Sequence, residues 1–86
     1  MHEVLFTKKA EKELGKLAPS DRRRLIKKLQ EFTYPFPSNF DIDKMGGYEG
    51  FYRLRVGKVR TILEIDQESK EIWIRKIKYR GSAYKF

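Results

Sequence analysis

Residues 51–65 read FYRLRVGKVRTILEI, with apolar and polar side chains alternating on both sides of Gly57-Lys58. A period of two predicts β-strands. A glycine in the first position of a two-residue turn favours a type II′ hairpin. In that hairpin Arg55 lies directly opposite Arg60 on the neighbouring strand.

The alternation gives the predicted hairpin two different faces. The core-forming face is expected to hold Tyr52, Leu54, Val56, Val59, Thr61 and Leu63, and the other face Arg53, Arg55 and Arg60. Like charges that lie directly opposite each other on paired strands destabilise the pair. Three arginines on one face therefore favour an anion-binding surface. Arginines that extend into water and are partly compensated by Glu64 or another acid give the same pattern.

Upstream of the hairpin, the sequence predicts one strand and two helices. A short apolar run predicts a strand at 2–7, and Thr7 and Ser20 are predicted N-caps. Apolar side chains at helical spacing follow each cap. They are Ala10, Leu14 and Leu17 in the first helix, and Leu25, Ile26, Leu29 and Phe32 in the second.

The fold class that these elements predict is α+β, in the order β-α-α-β-β-β. Residues 34–39 contain two prolines and 41–50 contain Gly46-Gly47, so both are predicted to be irregular connections. A last strand is predicted at 72–78. We expect one domain over 1–86, with two antiparallel N-terminal helices packed on a small, mainly antiparallel sheet.

The charge balance of the chain favours a nucleic acid or an acidic protein as partner. Lys and Arg number 20 against 12 Asp and Glu, a formal net charge of +8. The pI of about 9.8 exceeds the value of about 9 that marks nucleic-acid-binding domains. The absence of Cys and the single His exclude thiolate zinc sites, cysteine nucleophiles and histidine pairs. With no membrane-span or signal-peptide pattern, we expect a cytoplasmic protein without metal or cofactor.

A second basic group lies near the end of the sequence. It consists of Arg75, Lys76, Lys78, Arg80 and Lys85, interleaved with Trp73, Tyr79, Tyr84 and Phe86. Cations interleaved with aromatic rings suit the backbone and the bases of RNA. A basic strand that resists edge-to-edge aggregation has the same composition.

Other charged residues are interpreted as parts of the solvated surface. The cluster Arg22-Arg23-Arg24 with Lys27-Lys28 is predicted to form a solvated helix face, with a secondary RNA or ribosome contact as the alternative. Glu11 and Glu13 are predicted to be ordinary surface residues of the first helix. Asp41 and Asp43 are predicted to have a surface or turn role, because no metal-binding loop accompanies them.

Three segments, taken in their order along the chain, resemble the RelE/ParE toxin superfamily and are most similar to archaeal RelE-like toxins. They are Lys44-Met45-Gly46-Gly47, Tyr52-Arg53-Leu54-Arg55-Val56-Gly57-Lys58-Val59-Arg60 and Lys78-Tyr79-Arg80-Gly81-Ser82-Ala83-Tyr84. The likeness includes the predicted element order and covers nearly the whole chain. It implies the fold of the RelE-like microbial ribonucleases.

The resemblance also implies a function. The chain is expected to be a toxin of a type II toxin–antitoxin system. RelE members are ribosome-dependent endoribonucleases that cut mRNA in the A site by metal-independent attack of the 2′-hydroxyl. ParE members share the fold but inhibit DNA gyrase, and an inactive relative that binds only antitoxin or RNA is a further alternative. The implied partners are an acidic antitoxin protein, the ribosome and mRNA.

Position by position, the resemblance implies a set of site residues. The expected catalytic residues are Arg60, Lys78, Arg80 and Tyr84. By the resemblance Arg53 and Arg55 are expected to bind RNA and phosphate, and the basic residues Lys58 of the hairpin turn and Lys76 and Lys85 of the late basic group are expected to join them. The planar fork of an arginine suits phosphate oxygens, and a tyrosine suits stacking on a base or orienting the 2′-hydroxyl.

The general base is the open point of this assignment. The bacterial RelE pattern has lysines where this chain has Arg53 and Arg55. Arginine does not lose its proton in proteins, so these two side chains are poor bases. Either Lys78 or Tyr84 abstracts the proton, or catalysis rests mostly on positioning and electrostatics.

Overall fold

The computed structural model of the chain describes residues 3–33 and 35–79. Within them lie β1 (Glu3–Phe6), α1 (Lys8–Gly15), α2 (Pro19–Gln30), β2 (Asp41–Lys44), β3 (Phe51–Val56), β4 (Val59–Asp66) and β5 (Glu71–Tyr79). The strands form one sheet in the order β1-β5-β4-β3-β2, parallel between β1 and β5 and antiparallel elsewhere. The predicted α+β class, with two helices packed on a small, mainly antiparallel sheet, is confirmed.

The hairpin of β3 and β4 has the predicted register. Arg55 lies opposite Arg60, and Arg53 lies opposite Ile62. Gly57 has a φ of +58°, which glycine adopts without strain and which the first position of a type II′ turn requires. This register fixes which side chains share each face of the sheet.

The core lies between the helices and one face of the sheet. Its buried members are Ala10, Leu17, Leu25, Leu29, Phe32, Phe40, Leu54, Val56, Val59, Leu63, Ile65, Ile72, Ile74 and Ile77. The predicted core face of the hairpin is thus the buried one, with Tyr52 packed against it as a partly buried neighbour. Removal of this apolar surface from water is the main force that stabilises the fold.

The strand β2 corrects the prediction of an irregular connection over 41–50. It pairs antiparallel with β3 at the edge of the sheet. Of its four residues, Ile42 alone is apolar, so the sequence lacks the alternation by which a strand is recognised. Charged side chains on an edge strand also discourage pairing with a second molecule.

The start of α1 follows the prediction. Thr7 Oγ1 accepts a hydrogen bond from the Ala10 amide at 3.1 Å, which satisfies one of the free amides at a helix N-terminus. The helix ends at Gly15, and Leu17 is buried just beyond it. Neither helix of the described residues has the length and apolar character needed to cross a membrane.

The start of α2 differs from the prediction of a cap at Ser20. The helix begins at Pro19, with Ala18 as its N-cap. The Ala18 amide donates to the Tyr79 hydroxyl at 2.7 Å, and this hydroxyl donates to Asp21 Oδ2 at 3.0 Å. The Tyr79 hydroxyl of β5 therefore bridges the Ala18 amide and the Asp21 side chain at the start of α2, a long-range contact that the helix sequence does not encode.

Candidate nucleic-acid interface

The face of the sheet opposite the helices carries two rows of side chains. The first row holds Arg55, Arg60 and Lys78, directly opposite one another across β3, β4 and β5. The second row holds Arg53, Ile62 and Lys76. Adjacent strands lie about 4.8 Å apart, so each row spans about 10 Å. Arg53, Arg55, Arg60, Lys76 and Lys78 together are called the cationic face below.

The side chains of the second row pack around Ile62. It is fully buried, yet it is not part of the core cluster. Its direct cross-strand neighbours are Arg53 and Lys76, both of them half-buried. Long cationic side chains cover apolar surface with their stems and keep the charged ends in water. The burial of Ile62 therefore indicates that these stems lie over it.

At the β2 margin of the cationic face, two carboxylates hold Arg55. Its Nη1 lies 3.1 Å from Asp41 Oδ1 and 2.9 Å from Asp43 Oδ2. The hydrogen bonds to Asp43 and Asp41 raise the pKa of Arg55 above its ordinary value. The aspartate side chains are 62% and 59% exposed, so the contacts orient Arg55 more than they stabilise the fold.

At the opposite margin, Glu13 of α1 holds Lys78. Glu13 Oε2 lies 2.7 Å from Lys78 Nζ, and Oε1 accepts a hydrogen bond from the Ile77 amide at 2.9 Å. The glutamate side chain is 8% exposed, so its prediction as an ordinary surface residue is wrong. Because β1 pairs with β5 only as far as Ile74, Glu13 binds the part of the β5 edge that β1 leaves uncovered.

The contacts of Glu13 determine its charge state. Burial alone would raise the pKa of Glu13. The hydrogen bonds from Lys78 and the Ile77 amide, together with the positive charges of Lys78 and Lys9, outweigh burial and lower the pKa below its ordinary value of 4.5. At neutral pH the side chain is therefore a fixed negative charge beside Lys78.

Arg60 lies at the centre of the first row and has no comparable partner. Within the described residues, no carboxylate forms an ion pair with it. Its Nε is buried and has no hydrogen-bond acceptor. An unsatisfied buried donor costs about 1–3 kcal/mol, which an anion bound at this position would recover.

Three nearby polar side chains, those of Glu64, Trp73 and Tyr79, bind partners outside the cationic face. Glu64 Oε1 accepts hydrogen bonds from Arg75 Nε at 3.0 Å and Arg75 Nη2 at 2.5 Å. In the part of the chain that the structure describes, Glu64 therefore pairs with Arg75 and with no arginine of the cationic face. Trp73 Nε1 donates to Glu71 at 3.2 Å, and the Tyr79 hydroxyl binds the start of α2.

The other residues expected in the site have different places. Lys58 is exposed in the turn between β3 and β4, next to the first row. Arg80, Tyr84 and Lys85 lie outside the described residues. The structure thus brings residues from both expected sets, catalytic and phosphate-binding, onto one face of the sheet.

Comparison with known proteins gives the family. The sequence model of the family described as ParE toxin of type II toxin-antitoxin system, parDE, matches residues 4–84. The chain belongs to this toxin family. It is 35% identical over 84 residues to the Methanocaldococcus jannaschii protein named RelE1, an alignment that covers 95% of this chain and 93% of the relative. Toxin RelE3 of the same organism is 31% identical over 86 residues, 96% of either chain.

A solved structure shows the same relationship for this RelE-like toxin. It is the crystal structure of the archaeal RelE-RelB complex from Pyrococcus horikoshii OT3, with a TM-score of 0.79 and 32% identity. The match covers 95% of this chain and 98% of the other. The resemblance to archaeal RelE-like toxins inferred from the sequence is therefore confirmed.

Glu13 is the residue of this RelE-like toxin that sequence reasoning missed. Its position in the sequence could have revealed this role, since Glu13 follows Ala10 by three residues and precedes Leu17 by four. These spacings place it on the apolar face of the helix rather than on the solvated one. A carboxylate on a buried face needs a partner, and two donors of β5 supply it.

Proposed function

We propose that this RelE-like toxin is a ribosome-dependent endoribonuclease that cuts mRNA in the A site without a metal ion. The observation that carries the proposal is Arg60, a cation at the centre of the first row with a buried, unpartnered Nε. The cations on either side of it are held by carboxylates at the margins. This arrangement leaves its central positive charge for an external anion.

Cleavage of RNA by its own 2′-hydroxyl requires little more than a correctly positioned strand and positive charge near the reacting phosphate. The 2′-oxygen of one ribose attacks the adjacent phosphorus, and the bond from phosphorus to the 5′-oxygen of the next nucleotide breaks. The 2′-hydroxyl gives up its proton to a base and the leaving 5′-oxygen takes up a proton, so the products are a 2′,3′-cyclic phosphate and a free 5′-hydroxyl. Negative charge grows on the non-bridging oxygens in the transition state, where a preorganised donor stabilises it most.

The proposed roles follow the geometry of the rows. Arg60 binds the non-bridging oxygens of the phosphate that is cut, because its fork matches two of them. Lys78, held by Glu13, stabilises the leaving 5′-oxygen. Arg80 and Tyr84 remain predicted participants. Proton abstraction from the 2′-hydroxyl is assigned to Tyr84, because arginine retains its proton and Lys78 is assigned to the leaving oxygen.

The remaining cations are proposed to hold the RNA strand. Arg53, Arg55 and Lys76 flank the reacting phosphate on the cationic face, and Lys58 continues it at the turn. Lys85 is predicted to join them. None of these contacts requires a particular base, so the ribosome supplies the choice of the nucleotides presented to the toxin.

We also propose an acidic antitoxin as the partner that silences the toxin. The Pyrococcus horikoshii relative was crystallised as a RelE-RelB complex, and a net charge of +8 attracts an acidic chain. Binding over the cationic face would neutralise its charge and exclude RNA from Arg60. The proposed place of action is the cytoplasm, where ribosomes and mRNA are found.

The decisive experiment is primer extension on mRNA in programmed ribosomes. The parent protein, Arg60→Ala and Arg60→Lys are compared, with Arg23→Ala as a control because Arg23 is an exposed arginine of α2 away from the cationic face. We expect cuts at the A-site codon with the parent and the control, none with Arg60→Ala, and weak cuts with Arg60→Lys. A folded parent protein that leaves ribosome-bound mRNA intact contradicts the proposal.

The second candidate function is inhibition of DNA gyrase. The description of the matched family as ParE toxin favours it. In that case the cationic face is a docking surface for a protein and not a catalytic site. A supercoiling assay with gyrase distinguishes the two functions, since inhibition without mRNA cleavage supports the second one.

A further inference from the structure

A cavity of about 520 Å³ lies between α2 and the strands β2 and β3, beside the turn that follows β3. Its cationic lining residues are Arg24, Lys27, Lys28 and Arg55. Glu31 and Asp41 are its acidic ones, and Val56 supplies the one hydrophobic side chain among the described residues that line it. The cavity is therefore polar and carries more positive than negative charge.

The contacts of the lining residues show which charges are engaged. Asp41 already binds Arg55 at 3.1 Å, and Lys28 Nζ lies 4.8 Å from the centre of the Phe40 ring. Arg24 and Lys27 form no ion pair within residues 3–33 and 35–79. Two positive charges of the cavity thus lack a carboxylate partner in the described part of the chain.

Gly57 allows Arg24 to approach the turn closely. A Cβ atom at Gly57 would lie 2.6 Å from Arg24 Nη1, well inside van der Waals contact. The guanidinium therefore lies against the backbone of the turn that joins the two strands of the cationic face. The contact fixes a cation of α2 beside the end of β3.

Arg55 connects this cavity to the cationic face. It belongs to the first row with Arg60, and it also lines the cavity. An RNA strand whose phosphates lie on Arg60 and Arg55 would reach the cavity by way of Arg55, where Asp41 is the acidic side chain that it passes. The continuity gives one path for a polyanion from the face of the sheet to the helix.

We infer that this cavity is a second phosphate-binding site. In it, Arg24 and Lys27 bind phosphates of the same RNA strand at a distance from the phosphate that Arg60 binds. The inference rests on the proposed function, which places the RNA strand on the cationic face. Guanidinium and ammonium groups around a polar cavity suit phosphodiester oxygens. A protein partner generally needs a buried apolar anchor, which the lining described here does not provide.

The test compares two pairs of substitutions on one helix. The variant Arg24→Ala/Lys27→Ala removes two cations that line the cavity, and the control Arg22→Ala/Arg23→Ala removes two that do not. Fluorescence anisotropy measures binding of single-stranded RNA of about nine nucleotides, a length near the usual site sizes, and of about three nucleotides, which is below them. Both RNAs carry 2′-O-methyl groups, so the strands are not cut.

For the longer RNA, we expect the cavity variant to lose about tenfold in affinity and the control to lose much less. The dependence of log affinity on log salt should flatten by about 1.4 for two lost contacts, since each contact to a single strand contributes about 0.7. The shorter RNA, which occupies only the cationic face, should bind both variants alike. Circular dichroism confirms that both variants are folded.

Several outcomes would overturn the inference. Equal losses in both variants would show an effect of net charge alone. A loss confined to the binding of polyglutamate, used as an acidic peptide probe, would make the cavity a protein-binding site. An unchanged affinity of the cavity variant for the longer RNA would exclude a phosphate contact there.

Primer extension separates failure of this inference from failure of the proposed function. If the cavity variant cuts and binds like its control while Arg60→Ala does not cut, the inference fails and the endoribonuclease proposal stands. If the parent does not cut but the cavity variant loses RNA affinity, the proposed function fails and the phosphate site stands. If both proposals hold, the cavity variant cuts at the same codon with lower efficiency at limiting protein concentration.

Discussion

The two faces of the β3–β4 hairpin use one backbone for opposite purposes. Leu54 and Val56 are 0% and 5% exposed against the core, while Arg53 and Arg55 of the same strand stay half-buried on the other face. Successive side chains of a strand point to opposite faces of the sheet, so one strand places its apolar and its cationic residues on different sides. The hairpin thus stabilises the fold on one side and concentrates positive charge on the other.

The cationic face itself shows a second difference, between its margins and its centre. Carboxylates bind Arg55 at one margin and Lys78 at the other, but none in the described residues binds Arg60 between them. Acids at the margins reduce repulsion along the row and orient the outer cations. A carboxylate at the centre would compete with phosphate for Arg60, so its absence suits a site for an anion.

The core face should respond most strongly to substitution. Leu54→Ala is expected to lower the free energy of unfolding by about 2–5 kcal/mol, because Leu54 is fully buried and its truncation leaves a cavity. Urea denaturation followed by circular dichroism measures the loss. Arg53→Ala, one residue away on the other face, is the control and should change much less. An unchanged midpoint for Leu54→Ala would mean that the two faces are assigned the wrong way round.

Arg60→Ala should show the opposite response, a loss of activity without a loss of stability. Removal of a transition-state donor typically lowers the rate about 10²- to 10³-fold, and the rate of A-site cleavage measures this loss. The urea midpoint should stay the same or rise, because the substitution removes repulsion with Arg55 and an unsatisfied Nε. A variant that unfolds would show that Arg60 is structural, which would contradict the proposed site.

Glu13→Gln tests the margin beside β5. The amide retains an acceptor for the Ile77 N–H but loses the charge that binds Lys78, so we expect a loss of about 1–3 kcal/mol in unfolding free energy at neutral pH. The lowered pKa of Glu13 means that the folded state favours the carboxylate. The stability that it contributes is present above the ordinary value of 4.5 and is lost as the pH falls through the lower, folded-state pKa.

The pH dependence provides the control for this prediction. Unfolding free energies of the parent and Glu13→Gln, measured from pH 7 downward, should begin to converge as the pH falls below 4.5 and should meet below the lower, folded-state pKa. Glu11→Gln, an exposed change on the same helix, should lower the unfolding free energy at neutral pH much less than Glu13→Gln does. A difference that stays constant at acid pH would show that the carboxylate charge has no role in the contact with Lys78.

The sequence predicted the features of the fold and the site that depend on residues close together in the chain. Alternation around Gly57 gave the register that places Arg55 opposite Arg60, and Thr7 was recognised as a cap because its partner is three residues away. Glu13 and β2 escaped prediction for a different reason. The partner of Glu13 lies 64 residues further along the chain, and β2 is a strand only because β3 offers it an edge.

The smallest expected effect concerns the margin at β2. Asp41→Asn/Asp43→Asn removes the two exposed carboxylates that bind Arg55, and exposed ion pairs contribute little to stability, so the urea midpoint should stay close to that of the parent. Arg55 then binds phosphate without competition from the two carboxylates. The dependence of log RNA affinity on log salt should steepen by up to about 0.7, the contribution of one full phosphate contact.

The matched control for this last change is Glu11→Gln/Glu68→Gln, which removes the same negative charge at exposed positions away from the cationic face. Anisotropy titrations at several salt concentrations measure both slopes. If the two variants steepen the slope equally, net charge alone explains the change, and the aspartates do not restrain Arg55. A steeper slope in the aspartate variant alone would show that the margin of the face limits how many of its cations reach the RNA.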